Sequence, residues 1–169
     1  MKTVFLLRHA KAEPAGSAPT DFERALAKRG HEDSLRVGRA LKAMGEVPDA
    51  IVTSSARRAR ETAEGVAAAA GFKGSLKETR ALYDTPGPSW LTVLATLPAS
   101  ADSALLVAHN PGIEELAAIL AGAPPGFLTC PTAGLIAFEI SATSWKGLGE
   151  RGATMRCFLR PKLIEAIAD

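Results

Sequence analysis

The sequence predicts an α/β fold of three layers, in which helices cover both faces of a mostly parallel β-sheet. Two observations lead to this prediction. Short apolar runs without polar alternation are typical of strands that are covered on both faces. Between these runs lie segments with apolar residues at helical spacing, so strand and helix alternate along the chain. Four such apolar runs recur, at 3–7, 50–53, 104–108 and 134–140.

The first half of the chain supplies two strand–helix pairs. After the strand at 3–7, apolar spacing predicts a helix that ends before Gly45 and carries Leu35, Val37, Leu41 and Met44. After the strand at 50–53, a second helix should end at Gly71, because glycine is the preferred residue just past a helix C-terminus. Its apolar stripe consists of Ala59, Ala63, Val66 and Ala70.

The second half adds two helices and a hairpin. Ser89 is predicted to cap a helix that carries Trp90, Leu94 and Leu97. The strand at 104–108 precedes a helix that ends at Gly122 and contains Ile113, Leu116, Ala117 and Leu120. The run at 154–159 is predicted to form a last strand, paired with 134–140 as a hairpin.

Composition limits the class of protein. The 169 residues fit one domain, predicted to span 1–169, since no linker or repeat interrupts them. The net charge is +2, with 20 basic and 18 acidic residues, which is too even to indicate a nucleic-acid binder. Cys130 and Cys157 show neither metal nor disulfide spacing, so both are expected to be free thiols. No stretch reaches membrane-spanning length and no signal peptide is evident, which predicts a cytoplasmic protein without a membrane partner.

The candidate site follows from what comes after each predicted strand. In open α/β sheets, ligands bind outside the carboxyl ends of the strands. Arg8 and His9 follow the first strand, the arginine-rich segment 54–64 follows the second, and His109 follows the third. The remaining histidine, His31, lies among polar residues and is expected at the surface. Two histidines and several arginines at one sheet edge predict a site for a phosphoryl group.

The residue types also indicate the chemistry. Arginine presents a planar fork to phosphate oxygens, and a neutral histidine can attack phosphorus to form a covalent phosphohistidine. The sequence contains no glycine-rich phosphate loop and no cluster of carboxylates for magnesium. It therefore predicts phosphoryl transfer without a metal or another cofactor.

Four segments resemble one known family. The segment LLRHA resembles the Arg-His-Gly signature of the histidine phosphatase superfamily, with Ala10 in place of glycine. SSARRARETA is similar to its Ser-x-x-x-Arg-Ala-x-x-Thr-Ala segment, and that spacing selects Arg58. LLVAHNPGIEEL resembles the third block of the family, which carries His109. DFERALAKRG, at 21–30, resembles Asp-x-x-Arg-x-Leu-x-x-x-Gly in bacterial phosphohistidine phosphatases of the SixA type. The resemblance runs in order from residue 3 to about residue 120.

This resemblance implies a phosphoglycerate mutase-like fold and a set of roles. His9 would be the catalytic nucleophile, and Arg8, Arg58 and His109 would complete the phosphate pocket. Relatives of phosphoglycerate mutase carry a glutamate as general acid where this chain has Asp84, within ALYDTP. Asp84 is therefore a candidate general acid, with an ordinary loop or helix-cap aspartate as the alternative.

The substrate is left with three alternatives. No long insertion follows Arg8 and His9, and the bulky lids that enclose small metabolites are not evident in the sequence. An open site favours a phosphohistidine displayed on a partner protein of a phosphorelay or phosphotransfer system. The second hypothesis is a phosphatase for small phosphate esters, and the third is a non-catalytic module that binds phosphoproteins. No nucleic-acid partner is expected, because only the RRAR segment would support one.

Overall fold

A mixed six-stranded sheet forms the centre of the protein. The computed structural model describes residues 1–150 and 152–168. The strands follow the spatial order β3-β2-β4-β1-β5-β6. The first four run parallel, whereas β5 is antiparallel to both of its neighbours. The sheet is therefore mostly parallel, as predicted, and β5 and β6 form the predicted hairpin. The strands are β1 (Lys2–Arg8), β2 (Ala50–Ser54), β3 (Lys77–Thr79), β4 (Ser103–Ala108), β5 (Leu135–Ile140) and β6 (Ala153–Leu159).

Helices cover both faces of this sheet, which confirms the three-layer prediction. Residues of α1, α2 and α5 share one apolar cluster with one face, and residues of α3 and α4 share a second cluster with the other. Among the described residues, no helix combines the length and the apolar character needed to cross a bilayer. The helices are α1 (Lys28–Ala43), α2 (Arg57–Ala70), α3 (Trp90–Leu94), α4 (Gly112–Ala121) and α5 (Pro161–Ala168).

The central strand β1 shows why its sequence lacks polar alternation. Phe5 and Leu7 belong to the cluster beneath α1 and α2, whereas Val4 and Leu6 belong to the cluster beneath α3 and α4. All four side chains are almost completely buried. Since burial of one such side chain contributes roughly 1.5–3 kcal/mol, both faces of the strand must be apolar.

The predicted cap at Ser89 is wrong. Ser89 has helical backbone angles, and its hydroxyl donates to the carbonyl of Pro86 at 2.6 Å instead of accepting from the helix. A 3-10 turn over Gly87–Ser89 already begins the helical path before α3. The α-helix ends at Leu94, so Leu97 lies beyond it.

Two elements were not predicted from the sequence. Strand β3 has only three residues, and all of them are polar. Helix α5 starts at Pro161, one residue after β6. Strand β3 carries no apolar residue that would mark it, whereas α5 packs Ile164 into the core and lies beyond the strand at 154–159, the last element predicted from the sequence.

Candidate active site

Three neighbouring parallel strands bring the predicted site residues to one edge of the sheet. In the register of β1 and β4, Arg8 is paired with Ala108, so the two strands end side by side. His9 directly follows β1 and His109 directly follows β4. The backbone N–H of His9 donates to the carbonyl of Ala108 at 2.9 Å. Strand β2 pairs with the other side of β4 and ends at Ser54, just before α2. The imidazole rings of His9 and His109 lie 5.1 Å apart between centroids.

The hydrogen bonds of His9 define its tautomer. Nδ1 lies 2.8 Å from the carbonyl oxygen of Ala10, which can only accept, so Nδ1 carries the proton. The lone pair is therefore on Nε2, where the Nε–H of Arg58 donates to it at 3.2 Å. Burial, opposed in part by the bond to Ala10 and reinforced by the charges nearby, lowers the pKa of His9 to about 3. At neutral pH the side chain is thus an uncharged imidazole with a lone pair on Nε2.

Ala10 replaces the glycine of the family signature without strain. Within residues 1–150 and 152–168, the non-glycine residues with positive φ are Asp84 and Ala133, so Ala10 needs no left-handed conformation. Its backbone N–H donates to the Thr62 hydroxyl at 3.0 Å, and that hydroxyl donates to the carbonyl of Arg58 at 2.6 Å. Thr62 therefore links the loop that carries His9 to the helix that carries Arg58.

Arg58 lies in the first turn of α2 and is fixed by Asp21 as well as by His9. Nη1 donates to the backbone carbonyl of Asp21 at 2.6 Å, and Nη2 lies 2.9 Å from its carboxylate. Burial alone would raise the pKa of Asp21, but the charges and hydrogen bonds of Arg58 and Arg24 hold it below its usual value. The sequence pattern at 21–30 contained Asp21, but no contact with Arg58 was predicted for it.

His109 is held by a residue that the sequence reasoning assigned no role. Its Nε2 lies 2.8 Å from the hydroxyl of Ser54, which in turn accepts from the N–H of Ala56 at 3.3 Å. We take the Ser54 hydroxyl as the donor and Nε2 of His109 as the acceptor of this hydrogen bond. The proton of the imidazole ring is then on Nδ1. That Nδ1 is buried and has no partner within the described part of the chain. Burial, followed by the charge of Arg58, lowers the pKa of His109 to about 4.

Arg8 is held by the segment that precedes β5. Its Nη1 donates to the carbonyl of Cys130 at 2.8 Å, and its buried Nε has no partner among residues 1–150 and 152–168. The N–H of Ala133 lies within reach of the carbonyls of both Arg8 and His9, at 3.0 and 3.2 Å. Ala133 has a left-handed φ of 57°, which costs roughly 1 kcal/mol or more at a non-glycine residue. The turn before β5 thus adopts an unfavourable backbone conformation at Ala133, and in this conformation it holds the backbone at His9.

Asp84 is placed apart from the other four candidates. It is exposed, has a φ of 52°, and lines a small pocket that also includes His109 and Asn110. Within the described chain, no hydrogen bond joins its carboxylate to Arg8, His9, Arg58 or His109. Asp84 therefore faces the surroundings of the site but is not part of the buried cluster.

Metal ligands are not gathered at this edge. Across residues 1–150 and 152–168, no group of three histidine, cysteine, aspartate or glutamate side chains is arranged to hold a metal ion. Both cysteines are free, as predicted, and burial raises the pKa of the Cys130 thiol to about 12. The chemical groups that converge here are two neutral imidazoles and two guanidinium ions, which suit a bound oxyanion.

Comparison with known proteins decides the family. A family model described as the histidine phosphatase superfamily, branch 1, matches residues 4–86. The chain belongs to the histidine phosphatase superfamily. A proposed phosphohistidine phosphatase SixA from Agrobacterium tumefaciens has the same fold, with 26% identity, a TM-score of 0.76 and coverage of 95% of this chain and 99% of that one. The predicted family, the SixA-type resemblance and the phosphoglycerate mutase-like fold are thus confirmed.

A protein with the same fold is named for a different kind of substrate. The mycobacterial glucosyl-3-phosphoglycerate phosphatase shares the fold at a TM-score of 0.71, with 16% identity and coverage of 92% of this chain and 97% of that chain. An uncharacterized chloroplastic protein of Arabidopsis thaliana is 29% identical over 154 residues, which is 86% of this chain and 69% of that protein. The protein is accordingly a phosphatase of this superfamily, and its substrate must be argued from the site.

Proposed function

We propose that the protein removes the phosphoryl group from phosphohistidine on a partner protein, through a phosphohistidine intermediate at His9. The observation that carries this proposal is the state of His9. A neutral imidazole, held by Ala10 with its lone pair on Nε2, lies against the guanidinium of Arg58. This is the arrangement that nucleophilic attack on phosphorus needs, because an anionic substrate must be neutralised next to an uncharged nucleophile.

In the first step, Nε2 of His9 attacks the phosphorus of the substrate. A new P–N bond forms on His9, the P–N bond of the substrate breaks, and its electron pair goes to the departing imidazole nitrogen, which takes up a proton. Arg58, Arg8 and the free Nδ1–H of His109 would donate to the phosphoryl oxygens in flight.

In the second step, water attacks the phosphorus of phospho-His9. The bond to Nε2 breaks, its electron pair returns to His9, and phosphate leaves as the water loses a proton. Neither step needs a metal ion, since the two arginines supply the positive charge. Free histidine titrates near pH ~6.5, so imidazole leaves readily and can take its proton from solvent.

The position of Asp84 supports phosphohistidine over phosphate esters. An alcohol is a poor leaving group and gains from a positioned acid, whereas the exposed Asp84 makes no hydrogen bond to the buried cluster in the described chain. The same residue carries the second candidate function, hydrolysis of small phosphate esters, because it lines a pocket together with His109. The cytoplasmic location predicted from the sequence suits a partner protein of a phosphorelay.

The test is formation of the phosphoenzyme and its dependence on His9. The parent protein, incubated with a labelled phosphohistidine protein, should release phosphate and carry a label that is acid-labile and stable to base. His9→Ala should abolish both the label and the turnover. His31→Ala, which changes an exposed histidine, is the matched control and should retain both. A persisting label in His9→Ala would refute the assignment of His9 as the nucleophile. Binding of the phosphohistidine protein without any turnover in the parent would favour the third hypothesis, a non-catalytic module that binds phosphoproteins.

A further inference from the structure

A groove beside the active site remains without a function. The cleft that opens onto Arg8 and His9 is also lined by Lys11 and Thr132. The same two residues form one end of an adjoining groove, which continues along the start of α5. We call this surface the basic groove, defined by Lys11, Thr132, Arg160, Lys162 and Leu163.

The topology explains why this groove is next to the nucleophile. Strand β5 is antiparallel to β1, and β6 is antiparallel to β5, so β6 runs in the same direction as β1. Both β1 and β6 therefore end at the catalytic edge of the sheet. Arg160 and α5 follow β6 directly, just as His9 follows β1.

The charges of the groove are unbalanced. Lys11, Arg160 and Lys162 are exposed, and none of them forms an ion pair within residues 1–150 and 152–168. Among the described residues, Asp33 is the single carboxylate that lines the groove, and it already pairs with Arg29. Because the whole chain has a net charge of only +2, this excess of positive charge is local to the surface next to the site.

The other flank of the site has the opposite character. Of the residues that the structure describes, those lining the pocket beside His109 include two carboxylates, Asp84 and Glu115, and no lysine or arginine. A macromolecule that presents a phosphoryl group to His9 must cover the cleft, and the shared residues Lys11 and Thr132 extend its footprint into the basic groove. The difference in charge between the two flanks would orient it.

We propose that the basic groove docks an acidic surface of the partner protein, next to the phosphohistidine that the partner carries. This inference rests on the proposed function and names the chemistry of the partner. Leu163, with 47% of its surface exposed, lines the groove and adds an apolar contact to it. The groove is lined by no aromatic side chain from the described part of the chain, whereas stacking on aromatic rings is the usual means of holding single-stranded nucleic acid.

The experiment compares two synthetic peptides that contain phosphohistidine, one flanked by glutamates and one by lysines. Free phosphohistidine serves as the small substrate. The test variant is Arg160→Glu with Lys162→Glu, which leaves the cleft itself intact. The matched control is Arg39→Glu with Lys42→Glu, because it reverses two exposed charges near the far end of α1 with the same change in net charge.

The parent should cleave the acidic peptide with a kcat/KM about 10-fold or more above that for the basic peptide, and salt should reduce the difference, as charge steering requires. The test variant should lose or invert this preference, whereas the control variant should keep it. All three proteins should cleave free phosphohistidine at similar rates. Equal kcat/KM for the two peptides, or a preference unaffected in the test variant, would overturn the docking inference alone.

Two other outcomes separate the inference from the proposed function. No hydrolysis of either peptide or of free phosphohistidine would overturn the proposed function, and the docking inference with it. Inhibition of the parent by a single-stranded oligonucleotide, lost in the test variant while the two peptides react equally, would assign the groove to nucleic acid and overturn the acidic protein partner.

Discussion

Replacement of Arg58 by alanine should remove most of the phosphatase activity while the nucleophile remains intact. The guanidinium donates to Nε2 of His9, so in the proposed mechanism it lies where the phosphoryl oxygens would arrive during transfer. Loss of one such preorganised donor typically costs about 10²–10³ in kcat, or roughly 3–4 kcal/mol. We expect a loss of this size for Arg58→Ala, with a smaller loss for Arg58→Lys, which retains the charge but not the planar fork.

The loss should come from the transition state and not from protonation of His9. Burial is the largest cause of the low pKa of His9, and the charge of Arg58 contributes less. Without Arg58 the imidazole is therefore still neutral at pH 7 to 8. The reduction in kcat should accordingly be the same at both pH values, which a stopped-time assay of phosphate release can measure.

The two neighbouring arginines are the matched controls. Arg57 pairs with Glu61 on the half-exposed surface of α2, and Arg60 lies 3.8 Å from Glu78. Exposed pairs of this kind contribute about 0.3–0.5 kcal/mol, so Arg57→Ala and Arg60→Ala should change kcat by less than about 3-fold. If either of them proved as damaging as Arg58→Ala, the assignment of Arg58 to the phosphate would be wrong.

Asp21 provides a second separation, because Arg58 also fixes the segment around it. Asp21→Ala removes the carboxylate from Nη2 but leaves the guanidinium in place. If Arg58 acts on the phosphoryl group, Asp21→Ala should cost much less activity than Arg58→Ala. Equal losses in the two variants would show that the salt bridge, rather than contact with the substrate, is what Arg58 contributes.

Three further predictions concern the acid, the metal and the response to pH. Asp84→Asn should slow hydrolysis of alkyl phosphates sharply and that of phosphohistidine little, measured as kcat/KM for both; equal losses would assign Asp84 a general role in the pocket. Activity should be unchanged in EDTA, and loss on chelation that added metal restores would refute the metal-free mechanism. The pKa of His9 is about 3 when folded and near ~6.5 in an unfolded chain, so the unfolded state binds more protons between these values. The unfolding free energy should therefore rise with pH across that range and fall as the pH is lowered from ~6.5 towards about 3. Denaturant unfolding at several pH values should show a shallower fall in His9→Gln than in the parent or in His31→Gln.

The sheet edge could be predicted because the sequence marks both the position and the end of each of its strands. The apolar runs mark where β1, β2 and β4 lie, and the change to polar residues marks where each one ends. Since parallel strands end at the same edge, the sequence was enough to gather Arg8, His9 and His109. Arg58 needed the spacing of the family signature, because the residues alone left three arginines to choose from.

Contacts that depend on tertiary structure could not be predicted. The bonds from Arg58 to Asp21 and from His109 to Ser54 join residues 37 and 55 positions apart, and no local pattern encodes either distance. The prediction of a cap at Ser89 failed because a 3-10 turn already begins before this residue. The sequence pattern does not distinguish a cap residue from the last residue of such a turn. Strand β3 could not be predicted because it has no apolar residues. It is defined only by its pairing with β2.

The neutrality of both imidazoles also determines how inhibition of the enzyme by its product, inorganic phosphate, depends on pH. Since the pKa values of His9 and His109 are lowered to about 3 and about 4, and arginine side chains stay protonated, these histidines and the two arginines keep a constant charge from about pH 5 to 9. Competition by inorganic phosphate should therefore follow the second ionisation of phosphate itself. Sulfate, a tetrahedral anion of fixed charge, should compete equally well throughout that range.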